Sequence, residues 1–404
     1  MALESVSIVS TDDPWKRGGA GGKTTHIRLL MKGLSAAGVS PELVCARETA
    51  LFRLRRDLSG LIIRRRMGER ERRYEHYMSQ YSAQLLRQLA RAGLGSDVVN
   101  PHDVPAARDA WSELGRRAED APAVLTLHGY FTREASSSRE LREGSPAYER
   151  SMALEKGVYE RADRIVCVDS RIRDYVLGMA EVPGERAAVL PNAVDTEAFR
   201  PATAEEKAEA RRALGLEGPA TVVLCPRRLV VKNGVDHAVR AAGLIGKEGK
   251  DIRLVLAGDG PERAGIEGLV RDLGLQGRVV MEGTVPHERI ARFYAASDAV
   301  LIPSVSSAGV QEATSLSMLE GMAAGLPVVV TGIGGLKETV RHGGTGLVVP
   351  EADPGAIASA IGSLADDRAM ADALGRAARE YVAAHHSHLA HARAMAGEYA
   401  KALR

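Results

Sequence analysis

Along the 404-residue chain, short unbroken apolar runs alternate with longer segments whose apolar residues recur every three or four positions. In the first half the runs are SIVST, ELVCA, VLTLH, IVCVDS and AAVLP; in the second they are TVVLC, RLVLAG, RVVMEG, AVLIPS, PVVVTG and GLVVP. They are rich in Val, Ile and Leu and do not alternate with polar residues, the pattern of parallel strands covered on both faces. Helical-period segments such as RIARFYAASD and PGAIASAIGSLADD stand between them. The order β-α-β-α, run through twice, predicts an α/β protein with two doubly wound, Rossmann-like parallel sheets. The seam is expected in LPNAVDTEAFRPATAEE, where strand residues give way to a turn with two prolines and then a charged helix. That places one domain at residues 1–195 and a second at 196–384.

Composition narrows the picture. The length is too great for one core, and 45% hydrophobic with 26% charged residues is ordinary for a soluble globular chain. A net charge of +2 argues against a dedicated nucleic-acid binder. Cys45, Cys167 and Cys225 lie far apart with no CxxC, which suits neither a disulfide framework nor a zinc site and fits a reducing cytoplasm. No signal-peptide pattern opens the chain and no apolar run approaches a membrane span, so a cytoplasmic location is expected. Residues 47–75 carry ten arginines against five acids. They read either as a solvated helix pair or insertion, or as a basic surface for an anionic acceptor or the inner face of a membrane.

The chemistry concentrates in EATSLSMLE, residues 312–320, where two glutamates flank small and apolar residues and GMAAGLPVVV follows. A solvated helix repeats its charges every three or four residues, and this segment does not. The pattern predicts a short, mostly buried helix from about Ser315 to Ala324, capped by Thr314 or Ser315 and ended by Gly325 and Pro327. Amides at its start make an anion site suited to phosphate. Glu320, about a turn and a half inside, is reasonably placed for a diol such as ribose, and Glu312 precedes the helix. The bland alternative makes both acids structural caps.

Neighbouring loops favour the ligand. In an open α/β sheet, ligands gather beyond the carboxyl ends of strands. There CPRRLVVKNG offers Arg227, Arg228 and Lys232, LAGDGPE and EGTVP offer glycine turns, and PSVSSAGVQE leads to Glu312. Cations beside a helix N-terminus are what a leaving diphosphate requires. In the first half, Gly18, Gly19, Gly21 and Gly22 precede a helix; the spacing fits neither GxGxxG nor a Walker A loop, but lets backbone close on a sugar diphosphate. His128, at the end of VLTLH, could donate to a substrate hydroxyl or oxygen; a lone histidine is more often a core residue, but a place facing the expected cleft reverses that balance. His102 and Asp103 in NPHDVP are candidates for the acceptor side.

At this point EATSLSMLEGMAAGLPVVVTGIGGLKE resembles the E-x7-E region of the retaining glycosyltransferases of family 4, which have the GT-B fold. The likeness extends to the Gly-rich loop, TLHGY, ADRIVCVDS, LPNAVDTEAFRP, LVLAGDGPE and VMEGTVP. It implies two Rossmann-like domains facing across a cleft, with a C-terminal helix, about residues 385–404, returning to the first. The resemblance assigns Gly21 and Gly22 to the donor phosphate and His128 to the donor sugar. It assigns Arg227 or Arg228, with Lys232, to the diphosphate, Glu312 to the donor sugar and Glu320 to the ribose. Backbone near Ser315 and Leu316 would meet the phosphates, and backbone near Thr284 and Val285 the base. His102, Asp103 and Tyr130 fall on the acceptor side.

Two departures from the family pattern stand out. The family has a Lys five residues after its Arg: counted from Arg227 this is Lys232, counted from Arg228 it is Asn233. Lys232 is preferred, because an amide stabilises a leaving diphosphate poorly. Ala193 in PNAVD stands where glycine is common, and only a small change in that turn is expected.

No DxD motif sits at a strand end, so no metal and no resident cofactor are expected. The nucleotide sugar, UDP-linked in preference to GDP-linked, is a co-substrate, and the acceptor is expected to be anionic, phosphorylated or lipid-linked. A homodimer is compatible with this reading. With no carboxylate evident as a nucleophile, the resemblance favours departure of the diphosphate and same-face attack. The rival readings are a nucleotide-sugar epimerase or hydrolase on the same scaffold, and a dinucleotide oxidoreductase, which the glycine spacing disfavours.

Overall fold

The computed structural model describes residues 3–16, 22–47, 70–117, 121–307, 312 and 314–404. Gly21 and most of the arginine-rich segment, residues 48–69, lie outside the described residues. By its internal contacts the chain divides into two units, Met1–Pro191 with His391–Arg404, and Asn192–Ala390.

In the first unit β1 (Ser5–Ser10) pairs in parallel with β2 (Ser40–Cys45) and β3 (Val98–Pro101), while β4 (Val124–Leu127), β5 (Arg164–Cys167) and β6 (Ala187–Val189) form a second parallel set. A parallel bridge between Val99 and Ala123 joins the sets, with the Val99 amide donating to Pro122 at 3.0 Å. Six strands thus run in the order β2-β1-β3-β4-β5-β6. Strand β3 reads VVNP and has no counterpart among the runs picked from sequence. It is four residues long, ends in proline and runs into NPHDVP, which locally looks like a turn. Burial of all four residues by helices on both sides makes it a strand.

The second unit carries β7 (Thr221–Cys225), β8 (Ile252–Ala257), β9 (Val279–Gly283), β10 (Ala299–Ile302), β11 (Val328–Thr331) and β12 (Leu347–Val349). All pairs are parallel, in the order β12-β11-β10-β7-β8-β9. The chain winds outward from β7 to β9 and then returns to the other side of β7 as β10. The order therefore reverses between β7 and β10, and loops leaving those two strands border the crevice where such sheets bind ligands. Apolar clusters on both faces of this sheet account for its unalternated strands.

The last helix, His388–Ala402, packs Ala392, Met395 and Tyr399 against Val6, Ile8 and Val98 of the first sheet. The C-terminal return expected from sequence is thus present. Ala193 is buried and its backbone stays outside the left-handed region, so the side chain is accommodated without strain there. No helix of the described residues is long and apolar enough to cross a membrane.

Candidate active site

In the second unit the site grows out of the switch point. The loop after β7 supplies Arg227, which is buried and surrounded by acceptors from both bordering loops. Its guanidinium donates to Glu312 at 2.7 and 3.4 Å, to Ser315 at 3.1 Å, to Ser304 at 3.0 Å and to Asn233 at 2.6 Å. Arg227 therefore fixes the Glu312 carboxylate in a bidentate, charge-assisted pair. Asn233 donates onward to the Arg228 carbonyl at 2.7 Å, so it is a brace inside the loop. Arg228 and Lys232 behave differently: both side chains are exposed, and neither pairs with an acid among the described residues. Of the two registers left open by sequence, the one that counts Asn233 lands on this brace, and the one that counts Lys232 lands on an exposed ammonium.

Glycines make the loop close. A Cβ on Gly258 would lie 2.0 Å from the Arg227 carbonyl oxygen, and one on Gly260 would lie 2.2 Å from that of Leu229. LAGDGPE can thus pack directly on the Arg227–Leu229 backbone, where Leu229 donates to Asp259 at 3.0 Å and accepts from Glu262 at 3.1 Å. Gly234, at φ +59, sits against the Pro303 carbonyl and occupies a conformation and a space that other residues cannot share.

Helix Leu316–Ala323 begins beside this loop. Ser315 caps it, accepting from the Met318 amide at 3.4 Å, and Ser317 donates its hydroxyl to Pro226 at 3.0 Å. The first intrahelical acceptor, the Ser315 carbonyl, is taken by Leu319, so the Leu316 and Ser317 amides precede the helical ladder. Gly325, at φ +71, ends the helix as expected. Glu320 is buried; Tyr294 donates to its Oε2 at 2.7 Å, and its Oε1 accepts no hydrogen bond among the described residues. Burial, opposed by the Tyr294 hydrogen bond, pushes its carboxyl up to about 7. Thr284 is exposed and Val285 half-buried in the turn after β9.

In the first unit, His128 and His102 come together with two histidines that sequence reasoning passed over. His102 Nδ1 lies 3.1 Å from His128 Nε2; His26 meets His128 edge-on at 4.6 Å between ring centroids and His391 at 4.7 Å. Burial, then the neighbouring His26, hold His102 and His128 well below the usual histidine range. Both are therefore neutral near pH 7. Asp103 caps helix Val104–Arg117 by accepting from the Ala106 amide at 2.8 Å, and binds Thr11 and Lys23. Lys23 lies 2.8 Å from Asp103 and 2.7 Å from Asp12; burial opposes its charge, but the two carboxylates outweigh it and raise the ammonium. Asp103 thus ties the loop after β1 to the helix after β3 and is not a free carboxylate. Tyr130 leads into helix Phe131–Ser137, its ring edge-on to Tyr175 at 5.1 Å. Gly22 opens helix Gly22–Ala36 with empty space where a Cβ would stand.

His26, His102 and His128 offer ring nitrogens within 4.8 Å of one another, a spacing that could hold a metal ion. The 3.1 Å contact between His102 and His128 is already a hydrogen bond, however, and an ion there would have to displace its proton. Lys23 and His26 share one helix face at i and i+3 just after the glycine loop, which was the signal available in sequence. Tyr294, Asn100 and Tyr399 left no comparable trace, being apolar-patterned or isolated in sequence.

Known proteins carry the same architecture. Residues 206–381 match the family model for glycosyl transferases group 1, and residues 20–198 match that for glycosyltransferase family 4. A D-inositol 3-phosphate glycosyltransferase of Acidothermus cellulolyticus is 33% identical over 72% of this chain, and the match spans 64% of that protein. D-inositol 3-phosphate glycosyltransferase 1 of Catenulispora acidiphila is 31% identical over 73% of this chain and 70% of its own length. Among solved structures, sucrose-phosphate synthase of Thermosynechococcus elongatus superposes with a TM-score of 0.73 at 23% identity, covering 99% of this chain and 98% of that one, which establishes the GT-B fold. Both halves of the chain match, and so does a relative 31% identical that is covered over 70% of its length; the chain belongs to glycosyltransferase family 4.

Proposed function

We propose that the protein is a retaining glycosyltransferase that moves a hexose-type sugar from a nucleotide-diphosphate sugar to an acceptor hydroxyl without a metal. The observation that carries this reading is the switch-point arrangement. There the Leu316 and Ser317 amides, the Arg227-held carboxylate of Glu312, and the exposed Arg228 and Lys232 all belong to loops bordering one sheet reversal. Amides and cations would take the diphosphate, Glu312 would hold the donor sugar, and Glu320 would accept from the ribose through its unengaged oxygen. Thr284 and Val285 would meet the base with their backbone.

Arg227 is given a supporting part: its terminal nitrogens orient Glu312 and brace Ser304, Ser315 and Asn233. Arg228 and Lys232 are given the developing charge on the leaving diphosphate, where preorganised cations stabilise a transition state most. Departure of the diphosphate would be followed by same-face attack, with the leaving phosphate taking the acceptor proton.

The named substrate of the Acidothermus and Catenulispora relatives is D-inositol 3-phosphate, which supports a phosphorylated acceptor here. The basic segment of residues 47–75 would serve a phosphorylated or lipid-linked acceptor, with contact at the inner face of a membrane as its wider form.

A thermal-shift panel of UDP, GDP, ADP and dTDP sugars tests the donor assignment, because only a ligand bound by the folded state raises the melting temperature. A UDP-sugar is expected to give the largest shift. A panel in which no nucleotide sugar stabilises the protein at millimolar concentration would remove the proposal.

A further inference from the structure

Asn100 lies at the end of β3, fully buried, and its side chain can be oriented without ambiguity. One end of the amide faces the Val124 carbonyl oxygen, which can only accept, and also contacts the Thr126 hydroxyl at 3.0 Å. That end is therefore the NH2 group, and the other is the oxygen. Two groups meet this oxygen: the Tyr399 hydroxyl at 2.7 Å, from the C-terminal helix, and His102 Nε2 at 3.0 Å. A carbonyl oxygen only accepts, so His102 Nε2 must carry a proton. In the neutral ring, His102 Nδ1 is then a bare lone pair. The 3.1 Å contact from it to His128 Nε2 needs one proton, and only His128 can supply it. His128 is thereby left with a protonated Nε2 and a bare Nδ1.

We infer that Asn100, steadied by Tyr399, acts through His102 as a positioning residue that locks His128 in its Nε2–H tautomer, so that His128 meets substrate as a hydrogen-bond acceptor through Nδ1. This replaces the expectation that His128 donates. A sugar hydroxyl facing His128 would have to give its proton to the bond. A ligand with a methyl ether or fluorine at that position would lose the contact, whereas one with a free hydroxyl would keep it. What His128 recognises rests on the glycosyltransferase reading above, but the tautomer itself does not, because it is set within one unit with no ligand bound.

Neutrality of the pair is required, and the surroundings supply it. Around His128 stand His26 and Lys23 from helix Gly22–Ala36, His102 after β3, and His391 from the C-terminal helix. Each is basic, and each opposes a second proton on the ring.

Nitrogen-15 spectra of histidine-labelled protein without ligand separate the tautomers directly, since protonated and bare ring nitrogens resonate far apart. The parent is expected to show His128 with Nε2 protonated and Nδ1 bare at pH 7.5. A parent spectrum with Nδ1 protonated, or with a charged ring, overturns the inference. Asn100→Asp puts a carboxylate beside His102 Nε2, charges that ring, and turns its Nδ1 into a donor. His128 should then switch to the Nδ1–H form, with kcat/KM for the donor falling about tenfold as the acceptor contact is lost. An unchanged His128 spectrum in a folded Asn100→Asp protein would break the relay. Should that variant fail to fold, His102→Phe keeps a ring in place and removes the acceptor. His128 is then expected to average between tautomers, and a His128 still held as Nε2–H would show that His102 does not set it.

Discussion

Lys232 carries its ammonium into solvent from a loop whose buried Arg227 has both terminal nitrogens hydrogen-bonded, and this contrast decides what each substitution should do. Lys232→Ala removes no packing, so the fold should be unaffected while turnover falls by about 10²-fold or more through loss of charge stabilisation. Steady-state kinetics beside a thermal melt will separate the two, and a loss below about threefold would take Lys232 out of the proposed chemistry. Arg227→Ala should instead cost stability as well, because it removes the buried guanidinium that ties Glu312, Ser304, Ser315 and Asn233 together.

Glu320 makes a pH-dependent prediction. Its carboxyl is raised from 4.5 to about 7 by burial, so the fold prefers the protonated form. It contributes stability that is complete below about pH 4.5 and lost as the pH rises through about 7. Glu320→Gln never ionises and can still accept from Tyr294. It should be more stable than the parent by on the order of 2 kcal/mol above pH 8, with the difference vanishing in acid. Urea denaturation at both ends of that range checks it; a variant equally stable, or less stable, in alkali would mean that burial does not penalise the charge.

At the scale of elements, the site depends on loops that glycine allows to touch. Gly258→Ala would bring a methyl carbon 2.0 Å from the Arg227 carbonyl, with backbone on the receiving side. The loops must part, at about 2 kcal/mol or more, and the second unit should melt about 5 °C lower. Calorimetry gives the answer, and a melt within about one degree of the parent would show that the loop contact is loose. The same scale shows where sequence patterning worked and where it failed. Eleven apolar runs became strands because each carries consecutive apolar residues, and most are buried on both faces, although β2, β6, β9 and β12 are only partly covered. Strand β3 has no such run, because Asn100 and Pro101 follow only two valines and break it; its neighbours, not its composition, make it a strand.

For the molecule as a whole, the helix His388–Ala402 is the element on which the first unit most depends. Ala392, Met395 and Tyr399 are fully buried against β1 and β3. Removing them exposes apolar surface worth on the order of 5 kcal/mol, comparable with the entire stability of a domain. Truncation after Ser387 should therefore abolish the cooperative unfolding of the first unit, while the second, whose core closes without that helix, keeps its own transition. Two transitions in the truncated protein would contradict this.

Sequence by itself determined the α/β class, the second sheet strand by strand, the capped helix after Glu312 and the cations beside it. These are written in local signals: unbroken apolar runs, Ser315 before a helix, and glycines where a loop turns. Tertiary structure alone decided which of those groups are occupied. Arg227 and Arg228 are chemically identical neighbours in the chain, and only the fold turns one inward to Glu312 and leaves the other in water. The state of His128 is likewise invisible in TLHGY. It is set by Asn100 and Tyr399, which stand 28 residues before it and 271 after, and hydrogen bonds between such distant positions leave no periodicity to read.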